Sequence, residues 1–214
     1  MARQKNLARR HEILRNTFML LKKRGMENVS LQMIADKSGI SKSLLQSYYP
    51  HKNLLITEIV TNFMTAVLKS LNATDFKNLN TYSKMKIFIY LILEQGIQDE
   101  GVERVVKSIL SDGDSLDRWS QILDDWLKHD LGNDRQVQIG LNFIVTAGGG
   151  LYVKRTEFDL DADQISDIMV KTFMSTFLSI DESKISQTLA EAKSALQKYE
   201  LTTLTQAINK MFDN

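Results

Sequence analysis

Apolar residues recur every three or four positions along most of this chain, a spacing that predicts helices throughout. The first run puts Ile13, Leu14, Phe18 and Leu21 on one face of a helix over about residues 6–24, which Gly25 ends. A longer helix opens near Lys52, with Leu54, Leu55, Ile59, Phe63, Ala66, Val67 and Leu71 inward, and residues 72–81 are polar and loop-like. The run IFIYLIL within 82–96 has the β-branched content of a buried strand, but no partner strand is visible. A central helix, apolar all round, is the better reading. Val102, Val105, Val106, Ile109 and Leu110 give the clearest amphipathic pattern. A turn at 112–114 leads into a helix with Leu116, Trp119, Ile122, Leu123, Trp126 and Leu127, and a second turn falls at 132–134. Helices follow at about 135–155 and 162–180, the latter with Ile165, Ile168, Met169, Phe173, Phe177 and Leu178.

The tail carries two apolar series that are out of phase. Ile185, Leu189, Ala192, Leu196 and Tyr199 form one, and Leu201, Leu204, Ile208 and Met211 the other. Two terminal helices, or one sharply bent, are expected to pack on the body or a partner, with Thr203 and Gln206 as a capping box for the second.

One stretch carries chemistry. In Ser30–Leu55, Ser30 caps a short helix bearing Leu31, Ile34 and Ala35, and Ser38-Gly39-Ile40 breaks it. Ser41 then caps a second short helix with Leu44 and Leu45 inward. Two short helices around a tight turn containing glycine make a helix-turn-helix. Such hairpins also occur in proteins that never touch DNA, and charge separates the two cases. Residues 1–52 hold eleven Lys/Arg against three acids, a net of +8, while the remainder holds sixteen against twenty-three, a net of −7. A basic head on an acidic body suits a phosphate-binding unit attached to a domain with other work.

Composition narrows the rest. The 214 residues suffice for one or two domains with a real core, and the charged share of 25% is that of a soluble globular chain. Cysteine is absent, so disulfides and thiolate chemistry are excluded, and the single proline fits a helical chain. His11, His51 and His129 are scattered, and no nucleophile motif or phosphate loop appears, so neither an enzyme nor a metal or cofactor site is expected. The N-terminus lacks the order of a signal peptide, and Ile87–Leu93, the longest apolar run, is too short to span a membrane, so a cytoplasmic protein is expected.

With these features in place, the chain resembles the TetR family of bacterial transcriptional regulators, best over residues 9–60. Arg10, Ile13-Leu14, Phe18, Gly25, Ile34-Ala35, Ser38-Gly39-Ile40-Ser41-Lys42, Leu45, Tyr48-Tyr49, Lys52 and Leu54-Leu55 carry the resemblance. Residues 149–165 are only loosely similar to the segment between the family's two dimerisation helices, and residues 181–214 extend past its usual end. The recognition helix departs from the pattern: Ser43-Leu44-Leu45-Gln46 stands where the family has small-small-Leu-Tyr.

The resemblance implies an all-α fold: a three-helix DNA-binding head over residues 1–52, a ligand-binding and dimerisation body over 53–180, and extra helices over 181–214. It implies a homodimeric regulator, expected to be a repressor, that binds double-stranded DNA at a palindromic operator and is released by a small-molecule inducer. The DNA-binding candidates are Ser30, Ser41, Lys42, Ser43, Gln46, Tyr48 and Lys52. Lys52, at a helix start, is placed to meet a phosphate. Gln46 either pairs with an adenine edge or is simply solvated. Arg3, Lys5, Arg9 and Arg10 form either an arm or a solvated charge run. Inducer-pocket candidates are Phe63, Phe88, Leu91, Trp119, Trp126 and Phe143, with Gln95 and Asn142 as polar contacts; plain core is the alternative for each apolar one. Gly148 and Gly149, with Phe173 and Phe177, are candidates for the dimer interface, Gly148 as a helix end being the other account. An architectural or protein-partner-controlled DNA-binding factor of the same fold is the alternative function.

Overall fold

The computed structural model describes residues 2–72, 75–132 and 134–213, with side chains from Leu7 onward except that of residue 75. Among these residues there is no strand. The head consists of α1 (Ala2–Arg24), α2 (Leu31–Lys37) and α3 (Lys42–Tyr48). From it α4 (Lys52–Asn72) runs into the body, followed by a 3₁₀ turn (Asp75–Asn78) inside the expected loop. The body holds α5 (Thr81–Gln98), α6 (Glu100–Leu110), α7 (Gly113–Leu131), α8 (Arg135–Val153), the single turn α9 (Arg155–Phe158) and α10 (Ala162–Thr172). A π-helical turn (Phe173–Phe177) extends α10, and the tail forms α11 (Glu182–Leu196) and α12 (Leu201–Asn209).

Side-chain caps set most of the helix starts. Ser30, Ser41, Asn80, Asp99, Asp112, Asp134, Asp161 and Asp181 each accept a backbone N–H from the first turn of their helix. A cap of this kind is worth ~1 kcal/mol. α12 differs from expectation: it begins after Glu200 with no side-chain cap, so Thr203 lies inside the helix instead of capping it.

α5 is the axis of the body, packed by α4, α6, α10, α11 and α12. Its apolar run is buried all round, as a central helix requires. Lys86 of α5 is also wholly buried; its ammonium meets Asp163 at 2.5 Å and Asp167 at 2.9 Å, both on α10. Burial raises the Asp163 carboxyl, but the ammonium groups of Lys86 and Lys193 more than offset it and hold the group below its ordinary value. α4 is long and apolar enough to cross a membrane by length and composition. Its apolar stripe (Leu55, Ile56, Ile59, Val60, Phe63) is instead buried within the protein. Leu54, expected inward, lies just outside that stripe and is exposed.

Candidate nucleic-acid interface and the body behind it

Two glycines shape the head. Gly25 (φ 75°) ends α1 and Gly39 (φ 63°) makes the corner between α2 and α3, both left-handed positions that favour glycine. Ile34, Ala35 and Leu45 bury the inner sides of α2 and α3 against Ile13, Leu14, Phe18 and Tyr49.

α3 has room for only one buried residue. Leu45 fills it, so Leu44, expected inward, turns outward and is 37% exposed. Lys42, Ser43, Gln46 and Ser47 are exposed beside it, and Tyr48 is half-buried at the end of the helix. The hydroxyls of Ser30 and Ser41 accept from the backbone of Met33 (3.2 Å) and Leu44 (3.1 Å), which leaves each O–H free to donate outward. Together these residues form one mostly polar surface centred on α3, on which Ser47 is committed to the Leu44 carbonyl (2.7 Å) while Lys42, Ser43 and Gln46 face outward.

Lys52 is placed differently from a plain phosphate ligand. Its half-buried ammonium donates to the carbonyls of Met26 (2.8 Å) and Val29 (3.1 Å), tying the start of α4 to the α1–α2 loop. Arg10 belongs to no arm, because its guanidinium grips Glu58 of α4 and lies over the Tyr49 ring. The Glu58 hydrogen bond raises the already high guanidinium pKa, and burial followed by Glu58 raises that of the Tyr49 hydroxyl. Arg9 is exposed on α1, and the side chains of Arg3 and Lys5 lie outside the described residues.

Polar contacts join the head to the body. Lys22 of α1 reaches the Asp99 carboxylate at 2.8 Å, and Arg104 of α6 donates to the Lys22 carbonyl at 2.7 Å. Burial pushes the Asp99 carboxyl up, but Lys22 and the N–H groups of Val102 and Gly101 more than offset it, so it titrates below its ordinary value. Asn53, at the start of α4, donates to Asp114 on α7 at 2.9 Å.

In the body, Phe63, Phe88, Leu91 and Trp119 are fully buried, and Trp126 stacks on Phe88 at 5.4 Å. The indole N–H of Trp119 is buried without a protein acceptor. Gln95 is buried and accepts from the Thr205 hydroxyl of α12 at 3.1 Å. Asn142 and Phe143 are not with them. They lie on the outer face of α8 and line an open groove with Ile139, Thr146 and Ala147.

The glycines of α8 also lie elsewhere than expected. The helix continues through them to Val153, so Gly148 is no helix end. A Cβ on Gly148 would strike the Met169 side chain, and one on Gly149 would press on Leu110. The close approach they allow is therefore with α10 and α6 of the same chain. Phe173 is buried inside the protomer as well, and only Phe177 reaches the outer face, 5.4 Å from Phe143. Ile139 (45% exposed) and Phe143 (51%) are left open there, and Ile168 of α10 is also exposed (43%). These uncovered apolar residues were concealed in the sequence because each looks like ordinary helical core.

A compact three-helix head with a glycine corner and an exposed second helix, set on an all-helical body, defines a helix-turn-helix DNA-binding protein. The family described as "Bacterial regulatory proteins, tetR family" matches residues 13–59, so the head carries a domain of that family. The nucleoid occlusion factor SlmA of Actinobacillus pleuropneumoniae is 26% identical over 82 residues, 38% of this chain and 41% of its own. That of Haemophilus ducreyi is 24% identical over 88 residues, covering 41% and 44%. The chain thus spans about two fifths of the length of the curated relatives it matches. A TetR transcriptional regulator from Rhodococcus sp. RHA1 shares the fold with a TM-score of 0.59 at 12% identity, over 79% of this chain and 95% of the other. RolR in complex with resorcinol superposes with a TM-score of 0.58 at 15% identity, over 88% and 96%.

Proposed function

We propose that this protein is a ligand-responsive transcriptional regulator, a repressor, that binds a palindromic operator as a homodimer. The observation that carries the reading is the surface of α3: Lys42, Ser43, Leu44 and Gln46 all face outward from a rigid, basic head. In this reading α3 enters the major groove, where Gln46 reads an adenine edge, while the hydroxyls of Ser30 and Ser41, Tyr48 and the remaining N–H of Lys52 hold phosphates. The dimer forms through the outer faces of α8 and α10, with Ile139, Phe143 and Ile168 at its centre and Phe177 at its edge. That places the contact one helix face outward from Gly148 and Gly149. Two-fold symmetry then presents two α3 helices to two half-sites.

The small molecule enters the core between α4, α5 and α7, lined by Phe63, Phe88, Leu91, Trp119 and Trp126. The unpaired indole N–H of Trp119 is the polar handle there. Movement of α4 then shifts the population from DNA-competent to DNA-incompetent dimers. RolR, of similar fold, is described with resorcinol, so small phenols are the first class to screen. The test is fluorescence anisotropy of a bound duplex against a panel of such compounds, in which release at saturating ligand supports the reading. A second reading follows from the relatives named as nucleoid occlusion factors: a DNA-bound factor governed by a protein partner, without an inducer. Retention of DNA with every compound, together with thermal stability that none of them shifts, favours that second reading.

A further inference from the structure

The segment after Glu200 bridges the body and the head. α12 lies against both α4 and α5, burying Leu204 and Ile208. At its body end, Tyr199 shares a 2.5 Å hydrogen bond with Ser70, near the end of α4, and packs on Phe76 with ring centroids 5.2 Å apart. Thr205 donates to the buried Gln95 of α5. Its other end reaches the DNA-binding head. Phe212 is only 4% exposed and meets Phe18 of α1 edge-on at 5.9 Å, while Asp213 pairs with Arg15 one turn along α1. The last residues of the chain therefore complete the core formed by the first helix.

We propose that α12 and residues 210–213 are a strap that splints α4 and fixes the orientation of the head on the body. α4 alone carries the backbone from head to body, so any swing of its head end must carry α12 along or break the Phe212–Phe18 contact. The ion pair is half-exposed on both sides and adds little, so the aromatic contact bears the load. The strap makes the head cooperative with the body: with Phe212 released, the head keeps its α6 contacts through Lys22 and loosens without unfolding what lies behind it.

Hydrogen–deuterium exchange on the full chain tests this without DNA or ligand, comparing the native protein with Phe212→Ala and Phe212→Leu. Truncating the ring leaves a void beside Phe18 that leucine mostly fills. In Phe212→Ala, exchange over residues 10–24 and in α2 and α3 is expected to rise about tenfold or more. α5 and α10 keep native protection, and Phe212→Leu recovers most of the loss in the head. Native protection of α1 while α12 exchanges freely would overturn the strap. So would equal loss of protection in head and body in both variants, since that would make the tail a general stabiliser.

Discussion

Gln46 and Leu44 are exposed side chains of α3 whose chemistry suits base edges more than phosphates. A glutamine suits an adenine edge and an exposed leucine suits a thymine methyl, so each reads one base pair in the proposed complex. Gln46→Ala is expected to cost ~1–3 kcal/mol at a single base position and to relax preference there alone. Leu44→Ala should erode selection for thymine at a neighbouring position. Competition binding against single-base operator variants checks both, and unchanged preference at every position would remove them from the reading surface. In the proposed complex Lys52 would meet DNA, but its ammonium already serves the fold by satisfying the carbonyls of Met26 and Val29. Lys52→Met should therefore lower the free energy of urea unfolding by about 1–3 kcal/mol for the two carbonyls left without their donor, in addition to weakening binding to all sequences. A loss of affinity with no loss of stability would mean that its bonds to the loop contribute nothing. At this scale the sequence was legible where a residue's neighbours fix its role, as with Leu45 in the core and Ser30 and Ser41 as caps. It misled at Leu44 and Leu54, apolar residues one position off a buried stripe on short or terminal helical turns, where 100° of rotation decides burial.

Among the elements, the helices were readable because each buries a stripe at the helical period, and the glycine corner was readable because Gly39 has a left-handed backbone to supply. What neighbours each element touches was not readable. Gly148 and Gly149 marked a close helix contact correctly in kind, but only the fold shows that Met169 and Leu110 occupy the space. The uncovered strip on α8 and α10 is the complementary case. If it is the dimer face, Phe143→Glu should convert the dimer to monomer at micromolar concentration in sedimentation equilibrium, with helix content unchanged; a persisting dimer would place the interface elsewhere. The α1–α6 junction gives a pH test. Asp99 titrates below its ordinary value in the folded chain, so its pairing with Lys22 stabilises the head–body contact above roughly pH 4, the unfolded value, and is lost as pH falls through the folded one. Asp99→Asn should remove that share of the acid sensitivity of α1 exchange between about pH 5 and 3. An identical acid profile in the variant would show that the pair does not couple the two parts.

For the molecule as a whole, charge and architecture agree. A head of +8 on a body of −7 is drawn to DNA head first, and the acidic remainder keeps the body off the phosphates. The tail that joins the first and last helices was invisible as an arrangement, although its two out-of-phase apolar series announced two packed helices. In the proposed dimer a symmetric pair of these heads reads sequence. Selection of the purified protein against a pool of random duplexes, followed by sequencing of the bound fraction, tests it most directly. A symmetric dimer of these heads enriches an inverted repeat whose half-sites are about one helical turn or more apart. Salt-sensitive binding without an enriched sequence would contradict a sequence-reading regulator, and absence of binding at physiological salt would contradict the DNA-binding assignment itself.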